Sequence, residues 1–262
     1  MCGKLGSYDI ITHRNLLKDG DMNFQQVLDM HFPNTISEIN FVRNTQVLLN
    51  IHGFRSQNSI TCVGVCRDEF TRTLVDSIQN VWGKVFDFSS LGGMLSLGKT
   101  GLGAAHNHAP VDGERERYIY FVLAHIAIDH DGEIGVCYRP RRPGPSEACG
   151  ALIAFRQEML DGILMLEIDL DDIEQSRLKH RMFRKILYGD LPDLVTLTKI
   201  AYEVILEDLE HLVDETVDTS VSDYAILSGI QIHGPDRAQY IWPGAMYVVK
   251  NGVREQIELT DI

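Results

Sequence analysis

The chain has 262 residues, of which 44% are hydrophobic and 23% are charged, an ordinary composition for a globular protein. Its formal net charge of −13 at pH 7 argues against nucleic-acid binding, which requires a basic face. The apolar runs fall short of the ~20 residues that a membrane-spanning helix needs. A chain of this length is therefore expected to fold around one large core.

The cysteines do not resemble a disulfide framework. They are scattered through the sequence, at Cys2, Cys62, Cys66, Cys137 and Cys149. The first ten residues, M-C-G-K-L-G-S-Y-D-I, contain no apolar signal-peptide core. We therefore expect an intracellular, reduced protein; an upstream targeting peptide would be compatible with this expectation.

Helical patterns dominate the first fifty residues. Residues 1–33 are predicted to form a helical lead-in. Thr35 and Glu38 have the spacing of a capping box, which predicts a helix that starts there and ends at Gly53.

A βαβ unit is predicted next. Residues 60–65 form a short apolar run between turn residues and Cys66, as in a parallel strand buried on both faces. After Asp68, apolar residues recur at helical spacing, and residues 85–88 read as a second strand.

The middle of the chain alternates between glycine-rich and apolar segments. Residues 91–110 contain glycines without apolar periodicity and are predicted to be a loop. Residues 117–129 form the longest predicted strand, which we place at the centre of the sheet. Asp131-Gly132 predicts a hairpin into residues 133–138. Ser146 is a candidate cap for a helix beginning near Cys149.

The last hundred residues complete the predicted fold. Residues 163–168 fit either a short strand or a buried helix segment. Residues 171–217 are predicted to be a helical insertion, and residues 224–233 and 246–259 to be strands. The sequence thus predicts one α/β domain over residues 1–262, with a mostly parallel central sheet, flanking helices and a helical insertion before the last strands.

Three residues are candidate metal ligands. Cys66 follows a predicted strand, His125 lies on the predicted central strand, and Cys149 precedes a predicted helix. Two thiolates, one imidazole and an open fourth position form a known catalytic zinc set. Ligands bind at the carboxyl ends of strands in such sheets, and Asp68 lies two residues after Cys66. Asp68 is therefore the candidate for orienting a water bound to the metal. The alternative is a buried cysteine before a charged helix start.

Residues 93–100 offer a competing interpretation. The segment G-M-L-S-L-G-K-T matches the phosphate-binding P-loop pattern, which must connect a strand to a helix. The glycines and proline that follow disfavour a helix. The segment therefore favours a glycine-rich wall along which backbone approaches a small ligand.

Other histidines and arginines have weaker patterns. His106 and His108 would share one face of a strand, as a metal pair would require, but loop histidines are more often solvated or hydrogen-bonded. They are also candidates for a proton shuttle, because histidine titrates near neutrality. Arg139, Arg141 and Arg142 lie among prolines, which is typical of a solvated loop that can contact an anion.

Several segments carry a resemblance to a known family. They are C-R-D-E at 66–69, S-L-G-G-M at 90–94, G-K-T-G at 98–101, E-R-Y at 116–118, H-I-A-I-D at 125–129 and S-E-A-C-G-A-L at 146–152. Together, and in this order, they resemble the limiting-CO2-inducible protein B/C family, which is structurally akin to the β-carbonic anhydrases. The resemblance covers roughly residues 35–155, and more weakly 228–233 and the final hairpin.

The resemblance implies a function and a set of residues. A β-carbonic-anhydrase-like fold would hold Zn²⁺ through Cys66, His125 and Cys149, and would interconvert CO2 and bicarbonate through a zinc-bound hydroxide. It also implies a homodimer. From the cysteines and the N-terminal residues we expect the protein in the cytoplasm, or in the chloroplast if a transit peptide has been removed. A catalytically silent, zinc-stabilised interaction protein of a CO2-concentrating system is the alternative.

One position departs from the family pattern. The β-carbonic anhydrases use C-x-D-x-R, whereas Phe70 occupies the arginine position here. The arginine that should hold Asp68 ionised must therefore come from elsewhere. We expect Arg67 or Arg72, with Arg43 on the preceding helix as a further candidate.

Overall fold

The computed structural model describes residues 22–113 and 115–259. The predicted lead-in falls mostly outside them, since residues 1–21 are not described. In chain order the helices and strands are α1 (Phe24–His31), β1 (Ile36–Ser37), α2 (Glu38–Ile51), β2 (Ile60–Gly64), α3 (Arg72–Trp82), β3 (Val85–Asp87), α4 (Gly98–His106), β4 (Val111–Asp112), β5 (Arg115–Ala127), β6 (Val136–Cys137), β7 (Ser146–Glu147), α5 (Gly150–Leu160), α6 (Ile173–Phe183), α7 (Leu194–Thr216), β8 (Ser222–His233), β9 (Gln239–Lys250) and β10 (Val253–Gln256).

One eight-stranded sheet organises these elements. Its strands are ordered β1-β9-β8-β5-β2-β3, with β10 paired to β9 and β4 paired to β5. The pairs β3–β2, β2–β5 and β5–β8 are parallel, and β9 joins β8 in antiparallel orientation. The predicted α/β class, with a mostly parallel sheet flanked by helices, is therefore confirmed.

Strand β5 lies at the centre because its apolar side chains fill both faces of the sheet. Tyr120 and Val122 pack with residues of α4, α5 and α7 on one face. Phe121 and Leu123 pack with α2 and α3 on the other face. Burial on both faces explains the nearly continuous apolar run in the sequence, which is characteristic of parallel strands.

The predicted loop over residues 91–110 is partly wrong, because Gly98–His106 forms α4. Glycine disfavours a helix interior by about 1 kcal/mol per residue relative to alanine. Here the side chains of Leu102, Ala105 and His106, which belong to this helix, are buried. Tertiary burial of one helical face outweighs the weak local propensity.

The predicted capping box at Thr35 and Glu38 is also wrong. Ser37 is the N-cap of α2, and its hydroxyl accepts from the backbone N–H of Asn40 at 3.3 Å. Glu38 is instead a buried carboxylate, only 5% exposed. Its partners lie on other elements, so local spacing could not reveal its role.

The predicted hairpin after Asp131-Gly132 is reduced to one isolated bridge between Ile128 and Ile134. Strand β5 already has β2 on one edge and β8 on the other, which leaves no edge for a long partner. Strand β6 therefore pairs with β7 in a separate two-stranded sheet. Ser146 lies in β7, so it does not cap α5 as predicted; Cys149 occupies the N-cap position.

The alternatives for residues 163–168 were a strand or a buried helix segment, and neither forms. This stretch lies between α5 and α6 without regular structure. Ile163, Met165 and Ile168 are largely exposed, so their apolar character does not contribute to the core. None of the helices within residues 22–113 and 115–259 is long and apolar enough to cross a membrane.

Gly229 provides a test of the β8–β9 packing. A Cβ at Gly229 would lie 2.4 Å from the backbone oxygen of Trp242, so Gly229→Ala should destabilise the protein by about 1–3 kcal/mol through overpacking. The matched control is Gly103→Ala in α4, where nothing lies within 4 Å of the added Cβ and stability should rise by about 0.5–1 kcal/mol. Denaturant unfolding of both variants measures this; equal effects would contradict the packing.

Candidate metal centre

Three side chains from distant parts of the sequence meet at the carboxyl end of the parallel strands. Cys66 lies two residues beyond β2, His125 near the end of β5, and Cys149 immediately before α5. Their ligand atoms all lie within 4.8 Å of one another, and all three residues are buried. Among residues 22–113 and 115–259 this is the only such group of histidine, cysteine and acidic side chains.

The geometry of this group fits a metal ion. The two Sγ atoms lie 3.9 Å apart, close to the ~3.8 Å expected between two thiolates bound to a tetrahedral zinc at about 2.3 Å. Nε2 of His125 is buried and has no hydrogen-bond partner. A buried imidazole nitrogen without a partner is costly, and a cation between it and the two sulfurs would remove that cost.

The pKa values of the two thiols are shifted in opposite directions. The hydrogen bond from Cys149 lowers the pKa of Cys66 to about 4, against the opposing effect of burial. The same hydrogen bond, together with burial, raises the pKa of Cys149. The pair thus contains one thiolate ready to bind a cation and one thiol whose proton the cation would displace.

Asp68 lies beside this group and is held by Arg139. Arg139 donates from one nitrogen to Oδ2 of Asp68 at 2.9 Å and from another to Oδ1 at 3.2 Å. Burial acts to raise the pKa of Asp68, but the hydrogen bonds from Arg139 and from the backbone N–H of Phe70 lower it overall. Asp68 is therefore an ionised carboxylate with a fixed orientation.

The structure corrects the expected partner of Asp68. Arg67 pairs with Glu174 at 2.6 Å, and Arg72 on α3 pairs with an acidic residue of β3 at 2.6 Å. Both guanidinium groups are therefore held away from Asp68. Sequence proximity suggested them, but the side chain that approaches Asp68 is separated from it by seventy-one positions.

Arg139 is itself fixed by the small β6–β7 sheet. It donates to Oγ of Ser146 at 2.7 Å and to the backbone oxygen of Glu147 at 2.9 Å, and it also contacts the carboxylate of Glu69. Its guanidinium lies 4.7 Å from the ring centroid of Phe70. Phe70 thus supports an arginine supplied by another segment.

The sequence contained only a weak signal for Arg139. It was one of three arginines in a proline-rich stretch predicted to be solvated. It lies two residues beyond Cys137, the last residue of β6. A prediction that paired β6 with β7 would have distinguished it from Arg141 and Arg142.

The P-loop pattern does not form an open cradle. Met94 and Leu95 are buried in the core. A Cβ at Gly93 would lie 3.0 Å from the backbone oxygen of Leu123, so this glycine serves close packing against β5. Lys99 pairs with Glu215 on α7.

His106 and His108 lie apart from the candidate metal centre. Nε2 of His106 is 2.6 Å from the hydroxyl of Tyr120, and its ring stacks on Tyr118. His108 contacts Phe86 edge to face. The structure does not bring either ring to the group formed by Cys66, His125 and Cys149.

A cavity of about 380 Å³ lies next to the Asp68–Arg139 pair. Phe70, Tyr138, Arg139, His233 and Arg237 are among the residues that line it. The cavity therefore gives solvent access to Arg139, the partner of Asp68.

The contribution of the Asp68–Arg139 pair to stability can be measured. Both side chains are mostly buried, at 10% and 15% exposure, so a double-mutant cycle with alanine should give a coupling of about 1.5–3 kcal/mol in unfolding free energy. Because the folded-state pKa of Asp68 is lowered, the coupling should be present above the unfolded-state pKa of about 3.9. It should disappear as the pH falls through the folded-state value.

The Arg72–Asp87 pair is the matched control. Its side chains are 40% and 35% exposed, and its coupling should be at most about 1 kcal/mol. A coupling for Asp68–Arg139 no larger than that of the control would contradict the arrangement described here.

Comparison with known proteins identifies the family. Residues 35–250 match the family of limiting CO2-inducible proteins B/C beta carbonic anhydrases. A crystal structure of the limiting CO2-inducible protein LCIB is 33% identical, covers 88% of this chain and 97% of its own, and superposes with a TM-score of 0.74. A crystal structure of PtLCIB4, a homolog of LCIB, shares the fold at 22% identity, with 88% and 98% coverage and a TM-score of 0.77.

A search of curated proteins finds no match. The match of the family over most of the sequence, together with the LCIB structure, nevertheless settles the relationship. The chain belongs to the limiting CO2-inducible protein B/C family of β-carbonic-anhydrase-like proteins.

Proposed function

We propose that this protein is a zinc-dependent carbonic anhydrase that interconverts CO2 and bicarbonate. The observation that carries the proposal is the convergence of Cys66, His125 and Cys149 on one point. The family to which the chain belongs is described as one of β-carbonic anhydrases. The zinc site of a carbonic anhydrase is therefore the interpretation of these three side chains that agrees with the family.

The metal would be Zn²⁺, held by two sulfurs and Nε2 of His125. This donor set leaves one position of a tetrahedral ion open, as in catalytic zinc sites. Asp68 is not among the clustered ligand atoms, because its two oxygens are engaged by Arg139. A zinc ion held here would supply Lewis acidity that makes water a nucleophile near neutral pH.

Asp68 would orient and deprotonate the reacting water. Its carboxylate is ionised and can accept a proton or a hydrogen bond. Arg139 would keep it in that state and prevent the carboxylate from taking the open position on the metal. The aromatic ring of Phe70 lies against Arg139 and against the ring of His233, which would keep this side of the site apolar enough for CO2.

The test measures metal content and CO2 hydration on the same purified samples. The wild type should contain about one zinc per chain and hydrate CO2. Asp68→Asn should keep zinc and fold while hydration falls by ~10²-fold or more, the scale of lost acid–base help. Cys149→Ala should lose both zinc and activity, because two ligands hold the ion too weakly.

Cys62→Ala is the control for Cys149→Ala. Cys62 is also a buried thiol, four residues before Cys66, and its pKa is raised by burial to about 12. Its removal should leave the zinc content unchanged. Unaltered hydration in Asp68→Asn would exclude the role given to Asp68.

The alternative is a zinc-stabilised interaction protein without turnover. Burial of the three ligands is what a structural site would also require. Stoichiometric zinc in a wild type that hydrates no CO2 between mildly acidic and mildly alkaline pH would favour this alternative.

We further propose that the protein is a homodimer. Large exposed apolar side chains concentrate between the end of α5 and the start of α7: Leu160, Ile163, Met165, Ile168, Leu170, Ile173, Phe183, Leu187, Tyr188 and Leu191. Four of them, Phe183, Leu187, Tyr188 and Leu191, line one surface cavity, and exposed apolar patches mark interaction sites. A second copy of the chain is the occupant we propose, since closed homodimers are the commonest oligomers.

Leu187→Asp should convert the dimer into a monomer, because it places a charge in the apolar patch. Ile39→Asp on α2 is the matched control, since both side chains are 74% exposed, and it should leave the dimer intact. Light scattering at micromolar concentration distinguishes the two variants. A monomeric wild type would overturn the assembly proposal.

A further inference from the structure

A chain of side-chain hydrogen bonds leads away from the candidate metal centre. Nδ1 of His125 lies 2.8 Å from Nε2 of His233, and Nδ1 of His233 lies 2.6 Å from Oε1 of Gln239. His125 and His233 are both almost fully buried. None of these contacts is needed to form the sheet, since all are made by side chains.

The amide of Gln239 sets the direction of these hydrogen bonds. Its Nε2 donates to the backbone oxygen of Arg237 at 3.3 Å, and its Oε1 accepts from the amide nitrogen of Gln231 at 3.3 Å. Oε1 is therefore an acceptor, and His233 must donate to it from Nδ1. This orientation agrees with all of the partners around the amide.

The proton position on His233 then fixes the direction of its hydrogen bond with His125. A neutral histidine with its proton on Nδ1 has a bare Nε2 that can only accept. His125 must therefore donate from its own Nδ1 to His233. In the neutral tautomer that carries its proton on Nδ1, Nε2 of His125 presents the lone pair that a metal ion needs, and Nε2 is the buried nitrogen without a hydrogen-bond partner.

The sheet register holds the three side chains in place. His125 on β5 is paired with Gln231 on β8, and His233 lies two residues further along the same strand. His233 is paired in turn with Gln239 on β9. Residues two apart on a strand point to the same face, so both members of the histidine pair lie on one side of the sheet.

A buried carboxylate anchors the far end of the chain. Gln231 also donates to Glu38 on α2 at 3.1 Å. Glu38 in turn accepts from the hydroxyls of Thr73 and Ser77 at 2.8 and 2.9 Å. The orientation of Gln231, and through it that of Gln239, is thus tied to two helices that pack on the sheet.

We propose that His233, oriented by Gln239, is a positioning residue that holds His125 in the tautomer and rotation required to bind the metal. The inference rests on the proposed metal site but not on turnover. It gives His233 a contact with the metal ligand His125, and no contact with the substrate. Outer hydrogen-bond partners of this kind typically contribute 10–100-fold to metal affinity.

The experiment measures zinc affinity by chelator competition with the purified, zinc-loaded protein. His233→Leu removes the acceptor and should weaken zinc binding by about 10–100-fold. His233→Gln can return an acceptor near the position of Nε2 and should recover most of the affinity. A role limited to packing would instead make the leucine variant the better one, since leucine is apolar and the site is buried.

A second pair of variants leaves His233 in place. Gln239→Leu removes the acceptor that fixes the tautomer of His233 and should also weaken zinc binding. Gln239→Glu keeps an acceptor and should restore it. This pair tests the proposal if His233→Leu does not fold.

The control is His106→Leu, which removes a buried histidine hydrogen-bonded to Tyr120 and away from the metal centre. It should lower stability without changing zinc affinity. The absorption spectrum of cobalt-substituted protein gives an independent readout, since displacement of His125 alters the ligand field in His233→Leu but not in His106→Leu.

The outcomes separate this proposal from the catalytic one. Zinc affinity unchanged in both His233→Leu and Gln239→Leu overturns the positioning role, whatever the activity. A wild type that binds zinc but hydrates no CO2 overturns the catalytic proposal alone. A wild type that takes up neither zinc nor cobalt overturns both.

Discussion

The candidate metal centre depends on the parallel pairing of β5 with β8. The two strands are paired from Glu116 to Ala127, at the centre of the sheet. This register places His125 beside the strand that carries His233. A slip of one residue would move every side chain of β5 to the opposite face. The same sheet also aligns β2 with β5, which brings Cys66 to the edge where His125 lies.

The second constraint is the burial of charge beside the candidate metal centre. A buried carboxylate is stable only with compensating partners. Asp68 obtains them from Arg139 and from the backbone of Phe70. Because Arg139 is anchored by Ser146 and Glu147 of β7, the orientation of Asp68 depends on a small sheet that contributes little to the core. This separation lets the arginine come from a different segment than the C-x-D-x-R pattern requires.

Much of the fold was predictable because burial leaves a periodic trace. The long apolar run of β5 and the helical spacing in α3 indicated a mostly parallel α/β sheet, and the structure confirms it. Elements that depend on distant contacts leave no such pattern in the sequence. Helix α4 forms despite its glycines. Residues 133–138 do not form the predicted hairpin, because β5 has no free edge with which they could pair. Glu38 matched a capping pattern, yet its oxygens bind Thr73 and Ser77.

The sequence by itself determined the chemical identity of the candidate site. The order of Cys66, His125 and Cys149 along predicted elements, together with the family motifs, was enough to name the candidate ligands, with Asp68 two residues from the first of them. Only the tertiary structure decided which side chains meet that set: Arg139 rather than Arg67 or Arg72 holds Asp68. Hydrogen bonds between side chains on separate strands depend on register and packing, and residue spacing along one chain does not encode them locally.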